Sequence, residues 1–361
     1  MIYLDHQATT PLAPEARAAM ERWLGGADSA SFGNPHSPHR LGRQADAAVE
    51  LARERVAALF PPGGQVIFTG SATEALNLAL RGCAPVRAGQ GVAISAIEHA
   101  AVDETARSLP NPLAVLPVDP AGLVDAEAEW PHDIGLVSVM QVNNEIGTVQ
   151  PVARLYQRAQ MAGALFVCDA VQAAGKLPIA PADMIAVSAH KFYGPKGIGA
   201  LWVRDGVDLQ PLITGGGQER GYRSGTLSPA LCAGMGAAAE LALARMVHDA
   251  AHLDRLFVRA LDLFAGWALN GNADHRHAGN LNLRRAGLDV ARLMADVRQV
   301  CFSAGSACAG DSGKPSRVLA AIGLSAADAK GSIRLGLGRY TTEAELEEAA
   351  ALLNAAAEAQ G

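Results

Sequence analysis

Short apolar runs punctuate the first two thirds of the chain, each followed by a turn and then by helical periodicity. Val66-Ile67-Phe68, Val92-Ala93-Ile94, Ile134 to Met140, Leu165-Phe166-Val167 and Met184 to Val187 read as buried strands. Strands that alternate with helices predict an α/β fold with a mostly parallel sheet, because parallel neighbours need a crossover and are covered on both faces. Leu41, Ala45, Ala48, Val49, Ala52, Val56 and Leu59 recur at three- and four-residue steps, the period of an amphipathic helix. Ala200 to Val203 comes so soon after the Gly194-Pro195-Lys196-Gly197 turn that it predicts a strand reached by a tight reversal, antiparallel to its neighbour. The sheet is therefore expected to be mixed.

A second region of helix, loop and short-strand signals begins near residue 250, and Thr342 to Glu345 fits a capping box opening a C-terminal helix rich in Ala and Leu. No repeat of 20 to 50 residues is present, which excludes solenoids. Gly215 to Thr226, GGGQERGYRSGT, is the main flexible-looking connector, suited to reach beyond the core or across an interface. The 361 residues carry a formal charge of −6 and are 50% hydrophobic, which argues against a bulk nucleic-acid or anionic-membrane binder and against global disorder. The longest candidate membrane span, Ser224 to Ala239, is only 16 uncharged residues and is interrupted by Pro229 and several glycines, so no membrane-spanning helix is expected. No signal-peptide pattern opens the chain, and five cysteines (Cys83, Cys168, Cys232, Cys301, Cys308) read as reduced thiols in a cytoplasm.

The chemistry-bearing candidates sit where strands end. Lys191 follows the Met184 strand in Ser188-Ala189-His190-Lys191, at the sheet edge where open α/β folds place ligands. A lysine held in apolar surroundings loses its proton and can form a Schiff base, although a snorkelling surface lysine fits the same pattern. Asp169 ends the Ala164 to Cys168 run with Gln172 three residues on. It suits either the carboxylate partner of a pyridine nitrogen or a helix cap. Thr69 to Ala75, TGSATEA, opens a helix whose N–H groups could receive a phosphate, yet neither it nor Gly194 to Gly197 fits the G-x-x-x-x-G-K-[ST] pattern of nucleotide hydrolases. Cys308 lies in SAGSACAGDSG, small and polar, and reads as an exposed thiol available for nucleophilic sulfur chemistry; the other four cysteines read as buried and inert. His275 and His277 are too isolated for a metal site, whereas His99 directly follows the Val92 strand at the same sheet edge.

These elements recur in order within longer blocks: YLDHQATTP at 3 to 11, GNPHS at 33 to 37, FTGSATEALNLAL at 68 to 80, IEHAAV at 97 to 102, VNNEIGTVQP at 142 to 151, CDAVQAAGK at 168 to 176, SAHKFYGPKGIGALWVR at 188 to 204, GGGQERGYRSGT at 215 to 226, SAGSACAG at 303 to 310 and SIRLGLGRYTTEAEL at 332 to 346. Nearly end to end, the chain resembles the cysteine desulfurases of the class V aminotransferase family. That resemblance implies the type I fold of pyridoxal-phosphate-dependent transferases: a mostly parallel, mixed, seven-stranded sheet flanked by helices in a large cofactor-binding domain, residues 13–249. Residues 1–12 and 250–361 would form a smaller α+β domain carrying the Cys308 loop.

By the same resemblance Lys191 would bind pyridoxal 5'-phosphate covalently, Asp169 would pair with the ring nitrogen, Gln172 would meet the ring hydroxyl and His99 would stack on the ring. Ala72, Thr73, Ser188 and His190 would hold the phosphate, joined by Thr226 from the other subunit of a homodimer. Asn143 would sit beside ring and substrate, and Arg334 would bind the substrate carboxylate, a role its planar fork suits. The implied reaction takes sulfur from L-cysteine, leaving L-alanine and a persulfide on Cys308, with His99 as the acid or base. The persulfide would pass to a sulfur-acceptor or iron–sulfur scaffold protein. A selenocysteine lyase, another class V enzyme and a catalytically idle assembly subunit are the alternatives; a plain aminotransferase needs no thiol at 308. The chain departs from the family pattern at His6-Gln7, where Tyr-Asn or Tyr-Ser is commoner, at Gly70-Ser71, which inverts Ser-Gly, and at Ala309-Gly310.

Overall fold

The computed structural model describes residues 1–83, 87–305 and 316–360. Seven strands form the main sheet in the order Gly64–Thr69, Gly199–Arg204, Met184–Ser188, Leu165–Asp169, Ile134–Ser138, Gly91–Ser95 and Leu113–Leu116. Gly199–Arg204 runs antiparallel to both of its neighbours and every other pairing is parallel, so the expected mixed sheet forms with its reversal where the Gly-Pro-Lys-Gly turn placed it. The edge strand Leu113–Leu116 lies outside the expected set. It is four residues long and mostly half-exposed, too short to show alternation.

Helix Arg40–Ala57 buries Ala45, Val49, Ala52 and Val56, the face its periodicity marked, and His39 Nδ1 caps it by accepting from Gly42 N–H at 3.2 Å. One core gathers the sheet with this helix and includes Ala13, Ala16, Met235 and Ala239. Another gathers Ile2 and Leu4 with Leu253, Leu256 and the four-stranded sheet that contains Asn280–Arg284 and Ser332–Gly336. Helix Pro229–Leu263 serves both, its first half packed in one core and its last turns in the other.

Among the described residues this is the one helix long and apolar enough to cross a membrane by length and composition, a test that the core helix of a folded domain also meets. Pro229 starts the helix, under the Ser228 cap, instead of interrupting it. Half of its apolar window is buried within the fold. The C-terminal helix Glu343–Glu358 opens with the expected capping box between Thr342 and Glu345.

The Gly215 to Thr226 connector is pinned by Glu219, Arg223 and Arg220, the last donating to Gln65 Oε1 at 2.8 Å. Arg53 grips the buried Glu219 carboxylate with two bonds of 2.7 Å, and Phe68 N–H donates to the same carboxylate at 2.6 Å. Arg223 reaches Glu74 at 2.7 Å, at the start of helix Ala72–Cys83.

Candidate active site

The carboxyl ends of the sheet strands converge on one cavity of about 300 Å³. Gly64–Thr69 leads into Ser71, Ala72 and Thr73 at the N-terminus of helix Ala72–Cys83, and Gly91–Ser95 leads to His99. Leu165–Asp169 ends on Asp169, with Gln172 shortly after; Met184–Ser188 ends on Ser188 and passes into a short turn of helix carrying His190 and Lys191. From the other core, strand Ser332–Gly336 adds Arg334. The Ser71-Ala72 turn approaches the sheet so closely that a Cβ on Gly199 would lie 2.6 Å from Ser71 C and 2.8 Å from Ala72 N. Only glycine leaves that approach open.

Lys191 Nζ donates to the carbonyls of Gln7 at 2.5 Å and Ala8 at 2.8 Å. The segment that supplies them is clamped onto the same turn, since Thr10 Oγ1 donates to His190 O at 2.9 Å and accepts from Tyr193 N–H at 2.7 Å. His190 Nδ1 lies 3.1 Å from Thr9 Oγ1. Burial, with the charges of Lys191, Lys196 and Lys176, lowers its pKa to about 4, so this ring is neutral near pH 7. The Ser188 hydroxyl makes no capping bond with the turn it precedes.

Asp169 is 4% exposed, and its Oδ1 accepts from Val171 N–H at 2.9 Å. Burial raises its pKa while His99, that N–H and Lys191 oppose the rise, so a positive group in the cavity would stabilise the carboxylate. His99 Nδ1 accepts from Ala101 N–H at 3.1 Å and caps helix Ala100–Arg107. That bond assigns the proton of neutral His99 to Nε2.

Arg334 is almost wholly buried. Its guanidinium donates to Asp5 Oδ1 at 2.9 Å, Asn144 O at 3.1 Å and Ser303 Oγ at 3.2 Å, while Nε has no partner among the described residues. Asp5 thus offsets part of the charge that the sequence reading reserved for a substrate carboxylate.

Two expectations land elsewhere. Asn143 is fully buried and does not line the cavity: its amide donates to Ile97 O at 2.8 Å and accepts from Glu145 and Ile146 N–H, which consumes it in shaping its own loop. Asn144, next in the chain, lines the cavity instead. Cys301 is half-buried, not buried, because it sits on a two-residue strand paired only with Ile2–Tyr3. Cys83, Cys168 and Cys232 are buried as expected, with burial pushing all three thiols up, Cys83 and Cys232 to about 12. Thr226, expected to serve the other subunit's site, is exposed and does not line the cavity of its own chain. Cys308 lies outside the described residues. The sequence reading missed Gln7 and Ala8, whose only signal was their place in the YLDHQATTP block, and Lys176, within CDAVQAAGK.

The sequence model of the family described as aminotransferase class-V matches residues 2–348. The chain belongs to the class-V aminotransferase family. It is 41% identical, over 372 aligned residues, to the cysteine desulfurase IscS of Rickettsia bellii, an alignment covering 98% of this chain and 90% of that protein. Among solved structures similar to this class-V chain, a NifS-like protein matches with a TM-score of 0.90 at 31% identity, covering 99% of this chain and 98% of that one. SspA, solved in complex with cysteine, matches at 0.82 and 34% identity, covering 95% and 100%.

Proposed function

We propose that the protein is a cysteine desulfurase that holds pyridoxal 5'-phosphate on Lys191, converts L-cysteine to L-alanine, and carries the sulfur as a persulfide on Cys308. The observation that carries this reading is the convergence of an amine, a buried carboxylate, a helix N-terminus and an imidazole on one cavity, in a chain so similar to a protein of that name.

The residues present fit the cofactor. Ala72 and Thr73 offer N–H groups at a helix start, and the Ser188 hydroxyl and neutral His190 add donors for a phosphate. Asp169, whose carboxyl is raised by burial, gains from facing a protonated ring nitrogen. Gln172 lines the wall beside it, and His99 supplies a ring to cover one face. When bound, the cofactor supplies an electron sink for bond changes at the substrate α-carbon.

The chain's own groups do the rest. Lys191 Nζ, steered by the Gln7 and Ala8 carbonyls, takes the α-proton, and Arg334 binds the substrate carboxylate. His99 Nε2–H delivers a proton, because its Nδ1 is occupied by the helix cap. The Cys308 thiolate attacks the substrate sulfur. An S–S bond forms as the C–S bond breaks, the electron pair stays with the carbon that becomes the alanine methyl, and the outer sulfur remains on Cys308 as a persulfide.

Residues 13–249 act as the cofactor-binding unit, and 1–12 with 250–361 as the smaller one. The enzyme works as a cytoplasmic homodimer in which each subunit lends Thr226 to its partner's phosphate site, and it hands sulfur to an iron–sulfur scaffold or another acceptor protein. Purified protein supplied with pyridoxal phosphate, L-cysteine and dithiothreitol should release sulfide and alanine in equal amounts. Failure to form alanine rejects the reading.

A further inference from the structure

Gln172 ends in an amide with an acceptor on one side and donors on the other, so its usefulness in a binding wall depends on which way round it is held. Two neighbours decide that. Lys176 Nζ lies 3.0 Å from Oε1, as a donor, and the Gln7 carbonyl, an acceptor, lies 2.9 Å from Nε2. Flipping the amide would set N–H groups against the lysine and oxygen against oxygen. Since Lys191 Nζ donates to the same Gln7 carbonyl, a hydrogen-bonded chain runs from Lys176 through Gln172 and Gln7 to the amine of the cofactor site.

The backbone is bent to make this contact. Gly175 has φ +71°, and a Cβ there would press on Ala242 and Phe192 at 2.7 and 3.0 Å. Lys176 also lines a separate cavity of about 150 Å³, with His6, Tyr193, Arg276 and His277, so it approaches Gln172 from behind the cofactor site. Burial, reinforced by Lys191, lowers the Lys176 pKa to about 7, a sign that the amine is held there at the expense of its hydration.

We propose that Lys176 is a positioning residue: by donating to Gln172 Oε1 it keeps the Gln172 NH₂ turned outward, so that the ring oxygen of the cofactor meets a donor. The proposal rests on the pyridoxal-phosphate reading above. Lys176→Met keeps most of the length of the side chain and removes its donor, whereas Lys176→Arg keeps a donor and has the adjoining cavity to occupy. Cofactor affinity by equilibrium dialysis and the pH midpoint of the bound cofactor's visible absorption are read for both variants, for Gln172→Ala and for the double variant Lys176→Met/Gln172→Ala.

Lys176→Met should bind cofactor about fivefold more weakly, the worth of one hydrogen bond, and shift the midpoint. Lys176→Arg should restore both. Adding Lys176→Met to Gln172→Ala should cost no further cofactor affinity, because the lost hydrogen bond acts through that amide. Additive losses in the double variant, or wild-type values in Lys176→Met, overturn the proposal. Wild-type protein that binds no cofactor overturns the parent reading instead. Melting curves report folding, and if Lys176→Met fails to fold, Lys176→Leu, which also lacks a donor, is judged by the same criteria.

Discussion

Gly199→Ala adds one methyl group at the point where the sheet meets the proposed phosphate site. Gly199 opens its strand between Thr69 on one side and Ser188 on the other, both of which lead into the cavity. The added carbon would lie 2.6 Å from Ser71 C, 2.8 Å from Ala72 N and 2.8 Å from Val187 O, inside the 3.0 Å that real Cβ contacts respect. All three are backbone atoms, so no side chain can swing away. The strand is paired on both sides, which leaves the 71–72 turn to move.

Overpacking of this kind costs about 1–3 kcal/mol of stability. The displaced N–H groups of Ala72 and Thr73 would also lose alignment with the phosphate. Hydrogen bonds to a charged group contribute about 1.5–3 kcal/mol each, so weakening even one should lower cofactor affinity about tenfold or more. Equilibrium dialysis with pyridoxal phosphate and thermal melting read the two effects separately. Gly266→Ala, where a Cβ would meet nothing within 4 Å, is the control and should stay within about 0.5 kcal/mol of wild type. Wild-type affinity and melting temperature in Gly199→Ala would refute the argument that this close approach builds the phosphate site.

Cys308→Ala should abolish sulfide release from L-cysteine while leaving cofactor binding intact, because the thiol acts only on the substrate sulfur; mass spectrometry of wild-type protein given L-cysteine without reductant should find one added sulfur on the peptide containing Cys308. Borohydride treatment of the cofactor-loaded protein should fix the cofactor to Lys191, and a label on Lys176, the amine on the far side of Gln172, would reverse the assignment. His6, His190 and His277 have pKa values lowered by burial to about 4, 4 and 3, against an ordinary 6.5. The unfolded chain therefore binds more protons than the folded one as pH falls below 6.5, so the stability held by these neutral rings is present above pH 6.5 and lost on acidification towards pH 4 and below. Melting temperatures across that window should fall, and less steeply in His277→Gln.

Local patterns were enough for the elements whose signals are short-range. Alternating apolar runs and helical periods expressed the α/β architecture, the turn before Ala200 expressed the reversed strand, and Thr342 with Glu345 expressed a helix start, since each depends on residues only a few positions apart. Strand ends also marked Asp169 and Lys191, because a parallel sheet aligns its carboxyl edges. What packing alone decided involves partners far apart in the chain. Gln7 meets Gln172 across 165 positions, Arg334 meets Asp5 across 329, and neither separation leaves a periodic trace. The same holds for Asn143 and Asn144: identical side chains in adjacent positions, one consumed by its own loop and the other facing the cavity, a difference set by which way the backbone turns. Pro229 reads as a break in the sequence and becomes a helix start in the fold, because a proline is tolerated in the first turn, where its missing N–H would have had no partner.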